Sequence, residues 1–304
     1  MNRLEEEINV IYNVAHEAPL GVPIAIYFYM TGLSAGSFIL STMAYGFGIT
    51  KYKPMGKVGV ILAILLLVVA PLNLIADLGQ PLRFWHLFPY LNIASPITYG
   101  TFLLTLYPLN CLIYAWFMFS GNAKLTKLFG LIGIPLATSV HGYTGFILAL
   151  SKARALWNTA LMPTLFLVSA MVSGMALMLL VIVIHGRFFS FEKRINKELV
   201  FELGQILAFT ILLDLFLIFS DVAVLLTADS EAREAAMMIL TLNFSPIFVG
   251  VELVLGSLIP LAILFFPKTK RRVIPVSIAA VLVMVGIMAM RYVMVIGGQS
   301  VPLS

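Results

Sequence analysis

Eight apolar stretches, each long enough to cross a lipid bilayer, constrain this chain more than any other feature. A hydrocarbon layer about 30 Å thick needs about 20 residues of helix at 1.5 Å per residue. Stretches that meet this length run over 20–48, 58–77, 97–119, 128–150, 159–185, 199–227, 242–266 and 273–296. The reading is an all-α integral membrane protein of eight transmembrane helices, arranged as two four-helix bundles. Composition supports it, because 61% of the 304 residues are hydrophobic and only 11% charged, against about 25% charged in an ordinary soluble domain.

The charges assign the two sides. The connections after stretches 1, 3, 5 and 7 hold 13 Lys and Arg, and the opposite side holds 5. By the positive-inside rule both termini face away from the cytoplasm, in a multi-pass protein of the cytoplasmic membrane. Residues 1–19, with Glu5, Glu6 and Glu7, form a polar outer lead-in. Residues 20–185 form the first bundle, 186–198 a charged cytoplasmic connection, and 199–304 the last three helices and an outer C-terminus. The basic residues are dispersed among short loops, so no nucleic-acid partner is expected. Lipid is the immediate surrounding.

Packing signals follow the same logic. Gly32 with Gly36 and Ala170 with Gly174 are small-xxx-small spacings that let helices approach closely. Pro71, Pro108, Pro135, Pro163 and Pro260 are expected to kink their helices. Trp85 and Trp157 read as interfacial anchors.

Ionisable groups inside a membrane are costly and are therefore candidates for function. Here they are Asp77, His141, Asp214, Asp221, Glu252 and Arg291. Counting residues from the loops places His141 about 10 Å below the outer face, with Asp77, Asp221 and Arg291 in the same outer third. A polar pocket opening outward follows. Asp77 and Arg83 are spaced to form an ion pair around a turn. Asp214 and Glu252 fall nearer mid-membrane, where the count gives them no cationic partner, and a proton path suits that pattern. Asp214 and Asp221 are seven residues apart and share a helix face.

The cofactor chemistry is narrow. Cys111 is the single cysteine and cannot supply the thiolates of an iron–sulfur cluster. Only His141 lies well inside a stretch, so bis-imidazole haem is not expected, and no histidine spacing suits a metal. A small amphipathic molecule such as a quinone fits one imidazole and one carboxylate near the membrane edge, which can hydrogen-bond its carbonyls and exchange its protons. Gly142 and Thr144 keep the backbone near His141 open to a flat ring, with Tyr143 and Arg83 in support. A proton channel or secondary transporter using Asp214, Asp221, Glu252 and Arg291 is the competing reading, although inverted repeats and broken half-helices are missing.

These residues resemble the NrfD / polysulfide reductase membrane-subunit family. The resemblance runs in order through Pro19-Leu20-Gly21-Val22-Pro23, Gly32-Leu33-Ser34-Ala35-Gly36 and Asp77-Leu78-Gly79-Gln80-Pro81-Leu82-Arg83-Phe84. It continues through Ser95-Pro96, His141-Gly142-Tyr143-Thr144-Gly145, Trp157-Asn158 leading to Leu165-Phe166-Leu167-Val168-Ser169, Glu252 with Gly256 and Pro260, and Arg291 to Gln299. Where the family more usually has Pro-Trp-Gly, this chain has Pro19-Leu20-Gly21. The resemblance implies a haem-free anchor that exchanges electrons between a menaquinone or ubiquinone pool and a four-cluster ferredoxin-like iron–sulfur subunit on the outer face. It also implies a molybdopterin or multihaem catalytic subunit beyond that; on the residues' own chemistry, His141 and Asp77 are the groups expected at the quinone ring.

Overall fold

The computed structural model describes residues 20–189 and 196–300. The lead-in with His16 and Pro19, and Lys193 and Arg194 of the charged connection, lie outside the described residues. Among these residues the secondary structure is helical throughout, with eight helices long and apolar enough to span a membrane. They are α1 (Val22–Tyr45), α2 (Lys53–Ala76), α3 (Pro96–Phe119), α4 (Ala123–Ala149), α5 (Met162–Ile184), α6 (Lys197–Thr227), α8 (Pro246–Phe265) and α9 (Val273–Ser300). A ninth, short helix, α7 (Ser230–Leu240), connects α6 to α8. This element was not expected from span length. It is amphipathic, with Asp229 accepting from the Ala232 amide at its start and Ala232, Ala235, Ala236 and Ile239 turned inward.

Local chemistry sets the helix ends. Asn122 and Asn196 accept from the Leu125 and Leu199 amides, each 3.2 Å away, and so satisfy a donor that a helix start leaves open. Gly121, with φ of 78°, makes the tight reversal from α3 into α4. Pro71, Pro108 and Pro135 lie inside α2, α3 and α4. Pro163 does not kink α5 as anticipated. It sits in the first turn, where its missing N–H has no helical acceptor to lose.

Three stretches among the described residues are wound more widely than an α-helix. α5 runs on into a π turn at His185–Phe189, the first 13 residues of α8, Pro246–Leu258, form a π-helix, and α9 carries a π turn at Val293–Gly297. Such segments are rare and cluster at functional sites. Glu252 lies within the α8 segment, and Arg291 lies two residues ahead of the α9 turn.

α1 is the centre of the assembly, packed against α2, α4, α5 and α9. α3 rests on α2 and α4, while α5 bridges from α1 and α4 to α6 and α9. The two small-residue motifs meet: Gly32 lies on Ala170, and Gly36 lies against the Gly174 backbone. Gly256 of α8 and Gly286 of α9 make a second crossing of this kind. The outward faces are apolar, with Leu65, Val68, Leu106, Leu112, Phe209, Phe216, Ile274 and Ile278 exposed, as lipid contact requires.

Polar groups clip the helices together. Ser34 and Ser41 of α1 donate to the carbonyls of Ala63 and Gly56 on α2, at 3.0 and 2.6 Å. At the Lys/Arg-rich end, Lys51 pairs with Glu202, which also accepts from the Tyr52 hydroxyl at 2.8 Å. Burial and that acceptor push the pKa of the Tyr52 hydroxyl up to about 12. At the opposite end, the Gln299 amide accepts from the Leu20 N–H and donates to the Leu20 carbonyl, both at 2.9 Å.

Trp85 is half exposed and stands edge-on against His86. Trp157 is not an interfacial anchor but a buried strut. Its indole N–H donates to the Met294 carbonyl at 2.5 Å, within the π turn of α9, and its ring covers Gly298.

Two substitutions test this packing. Gly174→Val drives methyl groups into the Gly36 backbone and is expected to cost about 1–3 kcal/mol or more, read as a lowered thermal midpoint in detergent. An unchanged midpoint would mean that α1 and α5 part freely. Trp157→Phe leaves the Met294 carbonyl without its donor and is expected to cost about 1–3 kcal/mol in the same assay. Unaltered stability would show that another donor replaces the indole.

Candidate functional site

Most buried polar side chains of this protein have partners. Thr31, Ser37, Ser169 and Ser173 turn their hydroxyls onto carbonyls of their own helices, and Ser34 and Ser41 bridge to α2. Against this background, the unpartnered atoms stand out. Among the described residues they are both ring nitrogens of His141, one carboxylate oxygen each of Asp214 and Asp221, both of Glu252, and Nε and Nη1 of Arg291. A buried polar atom without a hydrogen bond is destabilising, and a native protein that retains several has a use for them or fills the gap with water.

Arg291 is the hub. It is 1% exposed, although it carries a long cationic side chain. One terminal nitrogen, Nη2, donates to the Phe166 carbonyl at 3.0 Å and to Ser169 Oγ at 2.6 Å. The guanidinium lies 3.9 Å from the centre of the Phe166 ring, so the aromatic face adds electrostatic attraction where water is absent. α5 therefore holds one edge of the guanidinium, and the other edge is open.

Asp214 of α6, Glu252 of α8 and His141 of α4 all lie within electrostatic range of Arg291, and Asp214 and Glu252 within range of each other. Among the described residues, no carboxylate oxygen comes within 4.0 Å of an Arg291 nitrogen. These buried ionisable side chains do not close into ion pairs with Arg291. The depth count from the loops leaves Asp214 and Glu252 without a cation, whereas in the structure Arg291 lies within electrostatic range of both. The reason is geometric: α6 continues well beyond a single bilayer length, and the π winding of α8 changes how far each residue advances. Asp214 and Asp221 do share the buried face of α6, but Asp221 stands apart from Arg291 and faces Thr159 in the α4–α5 connection.

His141 is fully enclosed, its ring facing the Thr31 backbone of α1. Its carbonyl accepts from the Thr144 hydroxyl at 2.8 Å, which places Thr144 in an internal bond. Gly142 faces open space, whereas Gly145 is pressed onto the Met162–Pro163 backbone of α5. Tyr143 packs over Gly100 of α3 and lies near Tyr27 of α1.

Asp77 and Arg83 separate. Asp77 ends α2 and accepts from the Gly21 N–H at 3.0 Å, just ahead of α1, so its partner is an amide and not Arg83. Arg83 is exposed in the helical turn Pro81–Leu87. The anticipated single outward pocket thus resolves into two places: a buried cluster around Arg291 with His141 at its edge, and a more exposed rim formed by Asp77, Gly21 and the 81–93 connection. The contact of Arg291 with Phe166 and Ser169 was missed by sequence reasoning. Phe166 and Ser169 lie in the Leu165–Ser169 stretch through which the resemblance runs, but nothing in the sequence ties that stretch to Arg291.

Similarity to known proteins runs along almost the whole sequence. The family described as Polysulphide reductase, NrfD matches residues 11–302. The C subunit of selenate reductase from Mesobacillus selenatarsenatis is 31% identical, over 93% of this chain and 74% of that protein. The Hdr-like menaquinol oxidoreductase integral membrane subunit of Archaeoglobus fulgidus is 29% identical, over 95% of this chain and 73% of its own length. The C component of polysulfide reductase from Wolinella succinogenes is 28% identical, over 91% of this chain and 93% of that protein. Eight spans, the glycine crossings and a match along almost the whole chain agree, and the protein belongs to the NrfD polysulphide reductase family.

Proposed function

We propose that this protein exchanges electrons and protons between the membrane quinone pool and an extracytoplasmic iron–sulfur subunit of a respiratory oxidoreductase. The observation that carries the reading is His141, a buried imidazole with both nitrogens unpartnered, next to Gly142 with open space beside it. Relatives whose names include a menaquinol oxidoreductase membrane subunit and a polysulfide reductase component support it.

The residues present fit a quinone. Its ring has two carbonyls that accept hydrogen bonds and gain protons when electrons arrive. His141 supplies the proton-exchanging group, because a free imidazole nitrogen can donate to one carbonyl or take the proton back. Gly142 admits a flat ring to the backbone, and Tyr143 offers a hydroxyl on the same segment. Asp77, which fixes the start of α1 through Gly21, and Arg83 belong to the exposed rim and serve the outer approach to this site. Asp214, Asp221, Glu252 and Arg291 carry protons onward from this region. The site belongs to the unit 20–185, and the last three helices add the acidic path.

The partner's docking surface is the connection from Asp77 to Ile93. Leu82 is 90% exposed, Tyr90 76% and Ile93 79%, and an apolar surface of this kind is stable when a permanent partner or the membrane interface covers it. In this reading both termini and this connection face outward from the cytoplasmic membrane. The iron–sulfur subunit then leads to a molybdopterin or multihaem catalytic subunit.

His141→Ala is expected to leave insertion and partner binding intact and to lower quinone-linked turnover by on the order of 10²-fold or more. Steady-state quinol oxidation or quinone reduction by the purified complex measures it, with dye-driven reduction of the partner's clusters as the control. Near-normal turnover would remove His141 from the site and leave Asp77 and Arg83 as its centre. A photo-cross-linker at Leu82 is expected to capture the iron–sulfur subunit. Capture only from Lys193 would place the partner on the opposite face.

A further inference from the structure

At the Lys/Arg-rich end of the helices, a cleft of about 600 Å³ opens between α5 and α9, a size within the range of about 300–1,000 Å³ usual for ligand sites. α9 lines it from Val273 to Leu282, and α5 adds Val183 and, from the π turn that follows, Arg187. The lining is apolar apart from Arg187 and Ser277, and the Ser277 hydroxyl donates to the Val273 carbonyl of its own helix at 2.9 Å. Arg187 is therefore the group in this lining that can meet a charged ligand. α5 and α9 are the fifth and eighth spans and run in opposite directions, so the end of α5 lies level with the start of α9. From Val273 to Leu282 the trough descends about 14 Å along α9, against about 15 Å for half of a hydrocarbon layer. It is one leaflet deep, with its cation at the rim.

The charge at that rim is unmatched. Arg187 is exposed, and among the described residues no carboxylate oxygen lies within 4.0 Å of it. Lys268, Lys270, Arg271 and Arg272 lead into α9, and no Asp or Glu follows Glu252 in the sequence. α5 and its π turn hold no acid either. α6 packs on both helices, but its Glu202 pairs with Lys51, and Glu198 in its first turn closes no ion pair. Glu192 belongs to the charged connection with Lys193 and Arg194, outside the described residues.

We infer that this cleft binds an anionic phospholipid, with the headgroup phosphate on Arg187 and one acyl chain laid along α9. The two halves of the site ask for the two halves of that molecule. A guanidinium presents its N–H donors as a planar fork that matches phosphate oxygens, and the apolar wall matches a hydrocarbon chain one leaflet long. Free phosphate satisfies Arg187 and leaves the wall bare, whereas a quinone tail covers the wall and brings no charge to Arg187. Ile274, 75% exposed, and Ile278 open the trough sideways to the bilayer, so a lipid enters without crossing protein. Basic pockets between spanning helices on the cytoplasmic side are where anionic headgroups are held, and in the orientation proposed above this end faces the cytoplasm. The cleft shares no residue with the His141 region or the outer rim, so the inference stands apart from the quinone reading.

Native mass spectrometry of the delipidated full chain, titrated with phosphatidylglycerol or with phosphatidylcholine of the same acyl chains, tests the site. One phosphatidylglycerol is expected to bind about fivefold or more tightly than phosphatidylcholine, the increment for a single Arg at an anionic lipid surface. Arg187→Gln is expected to remove that preference, and Lys127→Gln, in another loop at the same end, to keep it. Ser277→Trp fills the trough and is expected to abolish retention of the preferred lipid. Equal affinity for the two lipids, a preference that survives Arg187→Gln, or an equal loss in Lys127→Gln would each overturn the site. Displacement of phosphatidylglycerol by inorganic phosphate alone would assign Arg187 to a free anion and overturn the lipid. Release of a bound quinone or of a second copy of the chain by Ser277→Trp, with phosphatidylglycerol still retained, would give the trough to that occupant instead.

Discussion

The absence of water governs this structure. In a bilayer every backbone N–H and C=O must be bonded within the protein, which restricts the spanning elements here to helices. The same rule then applies to each side chain that points inward. α1 shows how it is met: its Ser and Thr hydroxyls turn back onto carbonyls of their own helix or reach those of α2. A polar residue handled in this way fastens helices that have no hydrophobic reason to associate in lipid. Close glycine crossings do the rest by bringing backbones into contact over the small area that each helix offers.

The Arg291 region departs from that economy. A guanidinium with one edge on the Phe166 carbonyl and the Ser169 hydroxyl and the other edge open is not the most stable way to fill a core. Replacing buried charges with apolar groups of similar volume is often neutral or stabilising. The cluster draws on α4, α6, α8 and α9, with α5 as its support, so it sits where the helices around α1 meet the later ones. Anything that alters its charge is felt by all of them.

Much of the architecture was legible in the sequence, for a simple reason. Span length depends on bilayer thickness, so eight apolar stretches translate directly into eight helices. The Gly32–Gly36 and Ala170–Gly174 motifs meet as their spacing implies, because small residues one turn apart make a groove only another backbone fits. The seven-residue interval between Asp214 and Asp221 likewise put both on one buried face. The depth of Arg291 relative to Asp214 and Glu252 was not legible. Counting from a loop assumes uniform α-helical rise, and neither a helix of 31 residues nor a 13-residue π segment obeys that assumption. Trp157 was misjudged because composition cannot tell an aromatic at the interface from one whose N–H finds a carbonyl on a neighbouring helix. The pairing of Asp77 with the Gly21 amide escaped notice because a backbone donor has no residue type.

The clip between Gln299 and Leu20 spans 279 positions of sequence. Its two hydrogen bonds reproduce, with a side-chain amide, the reciprocal exchange that two peptide groups make in a sheet. During synthesis the peptide group of Leu20 leaves the ribosome long before the side chain that completes it. The start of α1, where Asp77 also holds Gly21, therefore stays unfinished until α9 has been inserted, and maturation of that end of the protein waits on the helix made after all the other spans described here.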